Sequence, residues 1–215
     1  MHIDTSDQPI ADLGFYGHTC NWGTHICGLY HSEAERDDIV MGFLRAGDAV
    51  GDLQLYCPVE RTPQDFEAEW DHRYPVACGH VHDPDRFRVM DVGALYFPDG
   101  RFSPRAMDHN LHAFFCESQA IRPRNIRATA EMVWALEKVE GVEHLMAYEA
   151  RLNYFIPGKP WISICLYDLN RFDGATIMNV LRTHPYSLSG GVIMANPYYQ
   201  DPTIWLRANA PQFLD

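Results

Sequence analysis

The stretch THICGLYHSEAERDDIVMGFLRAGDAV, residues 24–50, decides the fold class. Its first seven residues form an apolar run of strand length, and the polar turn that follows puts Ser32 where a helix N-cap belongs. From Glu33 onward the apolar positions recur with helical spacing until Gly47 or Gly51 closes the segment. Strand, turn and helix in immediate succession predict a β-α unit.

The same rhythm continues down the chain. DLQLYCP (52–58) reads as a strand halted by Pro58, and TPQDFEAEW (62–70) as a helix capped by Thr62. FRVMDVGALYF (87–97) reads as a third strand after the looser YPVACGHVHDPDR (74–86). A helix over 103–120 has Ser103 at its cap and Pro104 in its first turn, and NIRATAEM (125–132) is a fourth strand. Residues 142–158 predict a helix, WISICLYD (161–168) a fifth strand and GATIMNVLRTH (174–184) another helix. Short strand-like pieces flank two glycines in 186–199.

Strands alternating with helices imply an α/β fold: a largely parallel sheet with helices on both faces. Residues 1–16 read as an N-terminal arm, 17–200 as one domain and 201–215 as a tail too brief for a domain of its own. Such sheets place ligands beyond the carboxyl ends of their strands. Tyr30, His31, Cys57, Glu131, Tyr167, Asp168 and Asn196 fall there, an aromatic and polar set on otherwise apolar segments.

Composition excludes some functions. Lys plus Arg number 17 against 29 Asp plus Glu, a net charge of -12, so the chain offers no overall attraction for nucleic-acid phosphates. No apolar run reaches the roughly 18–20 residues of a membrane span, and the first residues lack a secretion leader, so a cytoplasmic location is expected with no membrane partner. The six cysteines, spread over a chain with ample core, read as reduced thiols.

His18, Cys20, His25 and Cys27 supply four ligand-type side chains in ten residues. Folded into a hairpin they can make a tetrahedral zinc site, although H-x-C-x4-H-x-C is no common zinc pattern. A haem iron held by His25 or a nearby thiolate is a further alternative. No cofactor is required by the sequence. Cys78, His80 and His82 form a second cluster, read as surface histidines in a loop. Glu131 suits either a ligand hydroxyl or cation, or simply a helix start, and Trp134 either a pocket wall or core. Glu149 and Asn153 are one helical turn apart; an inward Glu149 needs a partner such as His25 or His184. Cys165 and Tyr167 share a strand face.

NWGTHICGLYHSEAERDDIVMGFL, LYFPDGRF, AEMVWAL, YEARLNYF, CLYDLNRFD, LRTHP and GGVIMANPYY together resemble the MEDS domain, a sensory module of methanogen and methylotroph proteins and of a dichloromethane-responsive regulator. The resemblance runs from about Trp22 to Tyr199. It implies a prokaryotic three-layer α/β domain distantly related to RecA and KaiC ATPase cores, proposed to sense simple hydrocarbon derivatives. Where such cores carry the phosphate loop this chain has YHSEAER, without glycine or lysine and with two glutamates, so ATP hydrolysis there is not expected.

On this reading the chain is a small-molecule-binding sensory domain of signal transduction or transcription regulation, with His25, Tyr30, Glu131, Trp134, Glu149, Cys165, Tyr167, His184 and Asn196 around the ligand. Its expected output partner is a kinase, anti-sigma-type or DNA-binding regulator, either a separate protein or the remainder of a larger chain of which this is a fragment, and a homo-oligomer is compatible with the sequence. The competing readings are an enzyme using a bound metal, or a Cys165 or Cys27 nucleophile paired with His25 or His184, and a metal or haem sensor built on residues 18–27.

Overall fold

The computed structural model describes residues 10–74 and 86–214. A short hairpin of β1 (Ile10–Asp12) and β2 (Thr19–Asn21) leads into β3 (Thr24–Tyr30), which is buried throughout. Ser32 caps α1 (Glu33–Val50): its hydroxyl accepts from the Glu35 amide at 3.2 Å, while the Glu35 carboxylate accepts from the His31 amide at 2.8 Å. The serine thus satisfies a backbone donor that the first turn leaves free, and the glutamate three residues on holds the amide just before the cap. Gly51, at φ +82°, ends the helix in the left-handed region.

The chain continues as β4 (Leu53–Cys57), α2 (Pro63–Arg73), β5 (Phe87–Val89), α3 (Val92–Tyr96), α4 (Pro104–Ile121), β6 (Ile126–Glu131), α5 (Leu145–Phe155), β7 (Trp161–Asp168), α6 (Gly174–Thr183), β8 (Tyr186–Ser189), β9 (Val192–Ala195) and α7 (Pro202–Asn209). The main sheet has the order β5-β4-β6-β7-β3-β8-β9. All its pairs are parallel except β8 with β9, which turn back on each other at Gly190 and Gly191.

Two cores cover the two faces. Residues Ile26, Tyr30, Ile164 and Leu166 face one way and pack with Phe43 and Leu44 of α1 and Phe66 of α2. Cys27, Cys165 and Tyr167 face the other way and pack with Leu152 and Phe155 of α5 and Trp134. The alternation of strand side chains makes this division, even-numbered residues of β3 and β7 to one side and odd-numbered to the other. A third, smaller core joins α5 to α7 through Ala147, Ala150, Trp205 and Leu206.

Residues 87–97, expected as one strand, are instead a three-residue strand and a short helix. Asp91 is the reason: its carboxylate accepts from the Ala94 amide at 3.0 Å and starts α3. The stretch before residue 17 packs Leu13 and Phe15 into the α1-side core, and the Asp12 carbonyl accepts from Arg127 Nη1 at 2.6 Å. In the stretch after residue 200, Asp201 caps α7 and Pro202 begins it. Cys78, His80 and His82 lie outside the described residues.

Candidate functional site

β3, β7, α5 and the end of α6 bring five polar side chains together on the α5 face. Glu149, in the middle of α5 and fully buried, is the centre. Its Oε2 stands 3.3 Å from His25 Nε2, 3.4 Å from His184 Nε2 and 3.5 Å from Cys165 Sγ. Its Oε1 accepts from the Tyr167 hydroxyl at 2.7 Å. Cys165 Sγ is also 3.5 Å from His25 Nε2. Burying a lone carboxylate is strongly unfavourable, and the arrangement compensates by surrounding it with donors and imidazoles.

Further residues fix the rings. His25 Nδ1 lies 3.3 Å from Asn153 Oδ1, and the Asn153 amide in turn donates to the Thr183 carbonyl at 2.7 Å. His184 Nδ1 lies 2.8 Å from the Val180 carbonyl, one turn back along α6. Asn196 donates to the His184 carbonyl at 2.7 Å and, more closely still, to that of Leu181, tying the β9 end to the residue that carries the ring. The His25 and His184 rings are 4.1 Å apart at their centroids.

Burial, followed by the neighbouring His184, lowers the His25 pKa to about 4, so this imidazole is neutral at ordinary pH. For Glu149, burial alone favours the protonated acid; the imidazoles, His184 foremost, reverse this and hold the carboxyl below its usual range. Burial and then the Glu149 charge push the Cys165 and Tyr167 pKa values well up. Cys27 is raised by the same two causes in the same order. Both cysteines are therefore thiols in this environment, which disfavours either as a ready nucleophile.

Beside the cluster lies a cavity of about 280 Å³. Leu55, Met90, Leu95, Met107, Leu111 and Phe114 give it apolar walls, and Cys165 and Ser163 stand on its sheet side. The lining runs from the exposed Asn110 to the buried Cys165. Cys165 thus belongs to the cavity wall and to the polar cluster at once.

The expected site residues divide into groups. His25, Glu149, Cys165, Tyr167 and His184 converge, with Asn196 supporting them from behind. Trp134 lies on the same face but in an aromatic stack, 4.5 Å from the Tyr96 ring. Tyr30 and Glu131 do not join them. Tyr30 points to the α1 face, and Glu131 accepts from the Tyr56 hydroxyl and, at 3.0 Å, from the Val59 amide. The convergence is also not at the carboxyl edge: Cys165 pairs with Cys27 in mid-strand.

The expected set of His18, Cys20, His25 and Cys27 is not assembled. His18 Nε2 bonds the Gly191 carbonyl at 2.7 Å, Cys20 packs at the α1-side core, and Cys27 bonds the Tyr186 carbonyl at 3.5 Å. The sheet separates Cys20 from His25 and Cys27, because the bend at Trp22 and Gly23 does not fold the pairs together. Asn153 completes the observed cluster; its spacing from Glu149 was readable as one helical turn, whereas its bond to His25 depends on the tertiary fold.

Residues 24–185 match the family described as MEDS, the methanogen/methylotroph, DcmR sensory domain. The chain belongs to the MEDS family. It is 28% identical over 161 residues to the transcriptional repressor DcmR of Methylorubrum extorquens, a match covering 74% of this chain and 57% of the repressor. The chain therefore spans somewhat more than half the length of that relative. Among solved structures it is similar to a KaiC-like protein of Pyrococcus horikoshii, with TM-score 0.53 and 12% identity over 86% of this chain and 78% of the other. A second Pyrococcus horikoshii protein, solved with an unknown peptide, gives TM-score 0.57 and 14% identity over 79% and 78%. At these identities the likeness establishes the KaiC-like fold.

In this MEDS chain the turn after β3 and the neighbouring strand ends hold an ion-pair network. Arg36 of α1 donates to Glu60 at 2.8 Å and to Asp37 at 3.1 Å, and lies 3.6 Å from Glu131. Arg61 bridges Asp37 and Glu69, each at 2.5 Å, and Arg171 meets Glu60 at 2.8 Å. Acidic groups thus engage these cations, and the turn after β3, residues 30–36, contains no glycine to bring its backbone close to a phosphate.

Proposed function

We propose that this domain senses a small, mostly apolar molecule in the α5-face cavity and passes its occupancy to a regulatory partner. The observation that carries the reading is the shared position of Cys165, in the cavity wall and in the Glu149 cluster. A ligand touching that wall also touches a packed polar network that reaches α5, α6 and the central strands. Apolar walls with a few polar groups are the usual form of a small-molecule site. At about 280 Å³ the cavity is roughly twice the ~150 Å³ apolar cavity that accepts benzene, so compact hydrocarbon derivatives suit it.

Membership of a family described as sensory, and a relative that is a transcriptional repressor, support the regulatory side of this reading. Binding acts by favouring one of two conformations, and the partner reads the difference. A kinase, an anti-sigma-type protein or a DNA-binding regulator can serve as that partner.

A thermal-shift screen of small alcohols, halomethanes, methylated amines and nucleotides tests the proposal. A ligand present at a hundred times its Kd stabilises the folded state by about 2.7 kcal/mol, a readily measured rise in Tm. We expect a small apolar class to give this rise and Ala130→Leu, which fills part of the cavity, to abolish it. Stabilisation by nucleotides alone, or a rise that survives Ala130→Leu, contradicts the proposal.

A further inference from the structure

Four atoms of metal-ligand type meet inside the α5 face, around a Glu149 Oε2 that accepts from the Cys165 thiol at 3.5 Å. Each histidine turns its Nδ1 to an oxygen acceptor, His25 to Asn153 Oδ1 and His184 to the Val180 carbonyl. A neutral ring that donates through Nδ1 leaves a lone pair on Nε2. Both Nε2 atoms face Glu149 Oε2, itself an acceptor, with Cys165 Sγ completing the group. His184 Nε2 makes no hydrogen bond although the residue is entirely buried.

We propose that His25, Glu149, Cys165 and His184 bind a divalent transition-metal ion of the zinc class in a four-coordinate site. Each offers one ligand atom within 4.8 Å of every other, and among the described residues no second group of three or more such side chains is this close. Metal bonds of about 2.0–2.3 Å in a tetrahedron require edges of roughly 3.3–3.8 Å between ligand atoms. Four of the six edges, at 3.3, 3.4, 3.5 and 3.5 Å, fall in that range, and the two from His184 Nε2 to His25 Nε2 and to Cys165 Sγ are no longer than 4.8 Å, so binding draws the His184 ring inward. A carboxylate, a thiolate and two neutral imidazoles balance the charge of the ion. Coordination replaces the S–H bond of Cys165 with a metal–sulfur bond and releases one proton to solvent.

The surroundings match what metal sites need beyond their ligands. Asn153 and the Val180 carbonyl orient the two rings, and the Tyr167 hydroxyl occupies Glu149 Oε1 so that Oε2 is left to coordinate. Cys165 in the cavity wall gives the ion a way in. This inference stands apart from the sensory reading, because metal occupancy is measured with no small molecule present.

The full chain, stripped with a chelator, is titrated with zinc or cobalt(II), followed by elemental analysis and absorption spectroscopy. We expect one equivalent to bind and cobalt to show tetrahedral visible bands with a thiolate-to-cobalt charge-transfer band. Cys165→Ser removes that band. Tyr167→Phe keeps the shape of the core while freeing Glu149 Oε1, and lowers affinity about tenfold or more. A Cys20→Ser variant binds as the unaltered protein does. Absence of stoichiometric binding, a charge-transfer band lost in Cys20→Ser, or equal affinity in Tyr167→Phe overturns the proposal.

Discussion

His25 and Tyr30 stand five positions apart on β3, an odd interval that sends their side chains to opposite faces of the sheet. Grouping them in one pocket conflicts with that parity, which was readable from the sequence. Cys165 and Tyr167, two apart, do share a face, and the spacing of Glu149 and Asn153 likewise predicted their common direction. What no spacing supplied was the meeting of His25 with residues more than 100 positions away, since only strand order brings β3 beside β7. Tyr30 carries a buried hydroxyl without a hydrogen-bond partner. Tyr30→Phe removes a polar atom that gains nothing from burial, so stability should change by less than about 1 kcal/mol. Ligand-induced shifts in Tm should remain; their loss would place Tyr30 in the site after all.

At the scale of elements, α5 is the piece that links cluster, cavity and outer surface. It contributes Glu149 and Asn153 inward, Tyr148 and Leu152 to the cavity, and Ala147 and Ala150 to the contact with α7. Small residues on that last face let Trp205 and Leu206 pack closely. Residues 201–215 are too few for a domain of their own, yet Asp201-Pro202 is a legible helix start: an acceptor at the cap followed by a residue that needs no amide hydrogen. The length of the segment masked this signal. Residues 87–97 show the opposite difficulty, because a short apolar run fits strand or helix equally and the Asp91 cap decides between them. Trp205→Ala should cost about 3–5 kcal/mol in denaturant unfolding, as expected for a large buried side chain. A loss below about 1 kcal/mol would show that α7 is not a brace for α5.

Across the whole molecule, the alternation of strands and helices sufficed to give the parallel sheet and its two covered faces, because each apolar run can be buried in only one way once the crossovers are fixed. The place of the site was not legible at that level. The rule that ligands lie beyond strand carboxyl ends points to the Arg36–Glu131 region, where ion pairs occupy the turn after β3. The cavity lies instead between the sheet and the α3–α4 side, where partly buried Leu55, Met90, Leu111 and Phe114 line a space the core does not fill. Among the described residues no helix is long and apolar enough to cross a membrane.

Methionine methyl labelling distinguishes these two regions directly. Met90 and Met107 line the cavity, whereas Met41 belongs to the core on the other face of the sheet. NMR spectra recorded through a titration with the strongest stabilising ligand should show saturable shifts of the Met90 and Met107 methyls while Met41 stays still. Shifts centred on Met41, with Met90 and Met107 unmoved at saturation, would place the ligand on the α1 face and overturn the α5-face site.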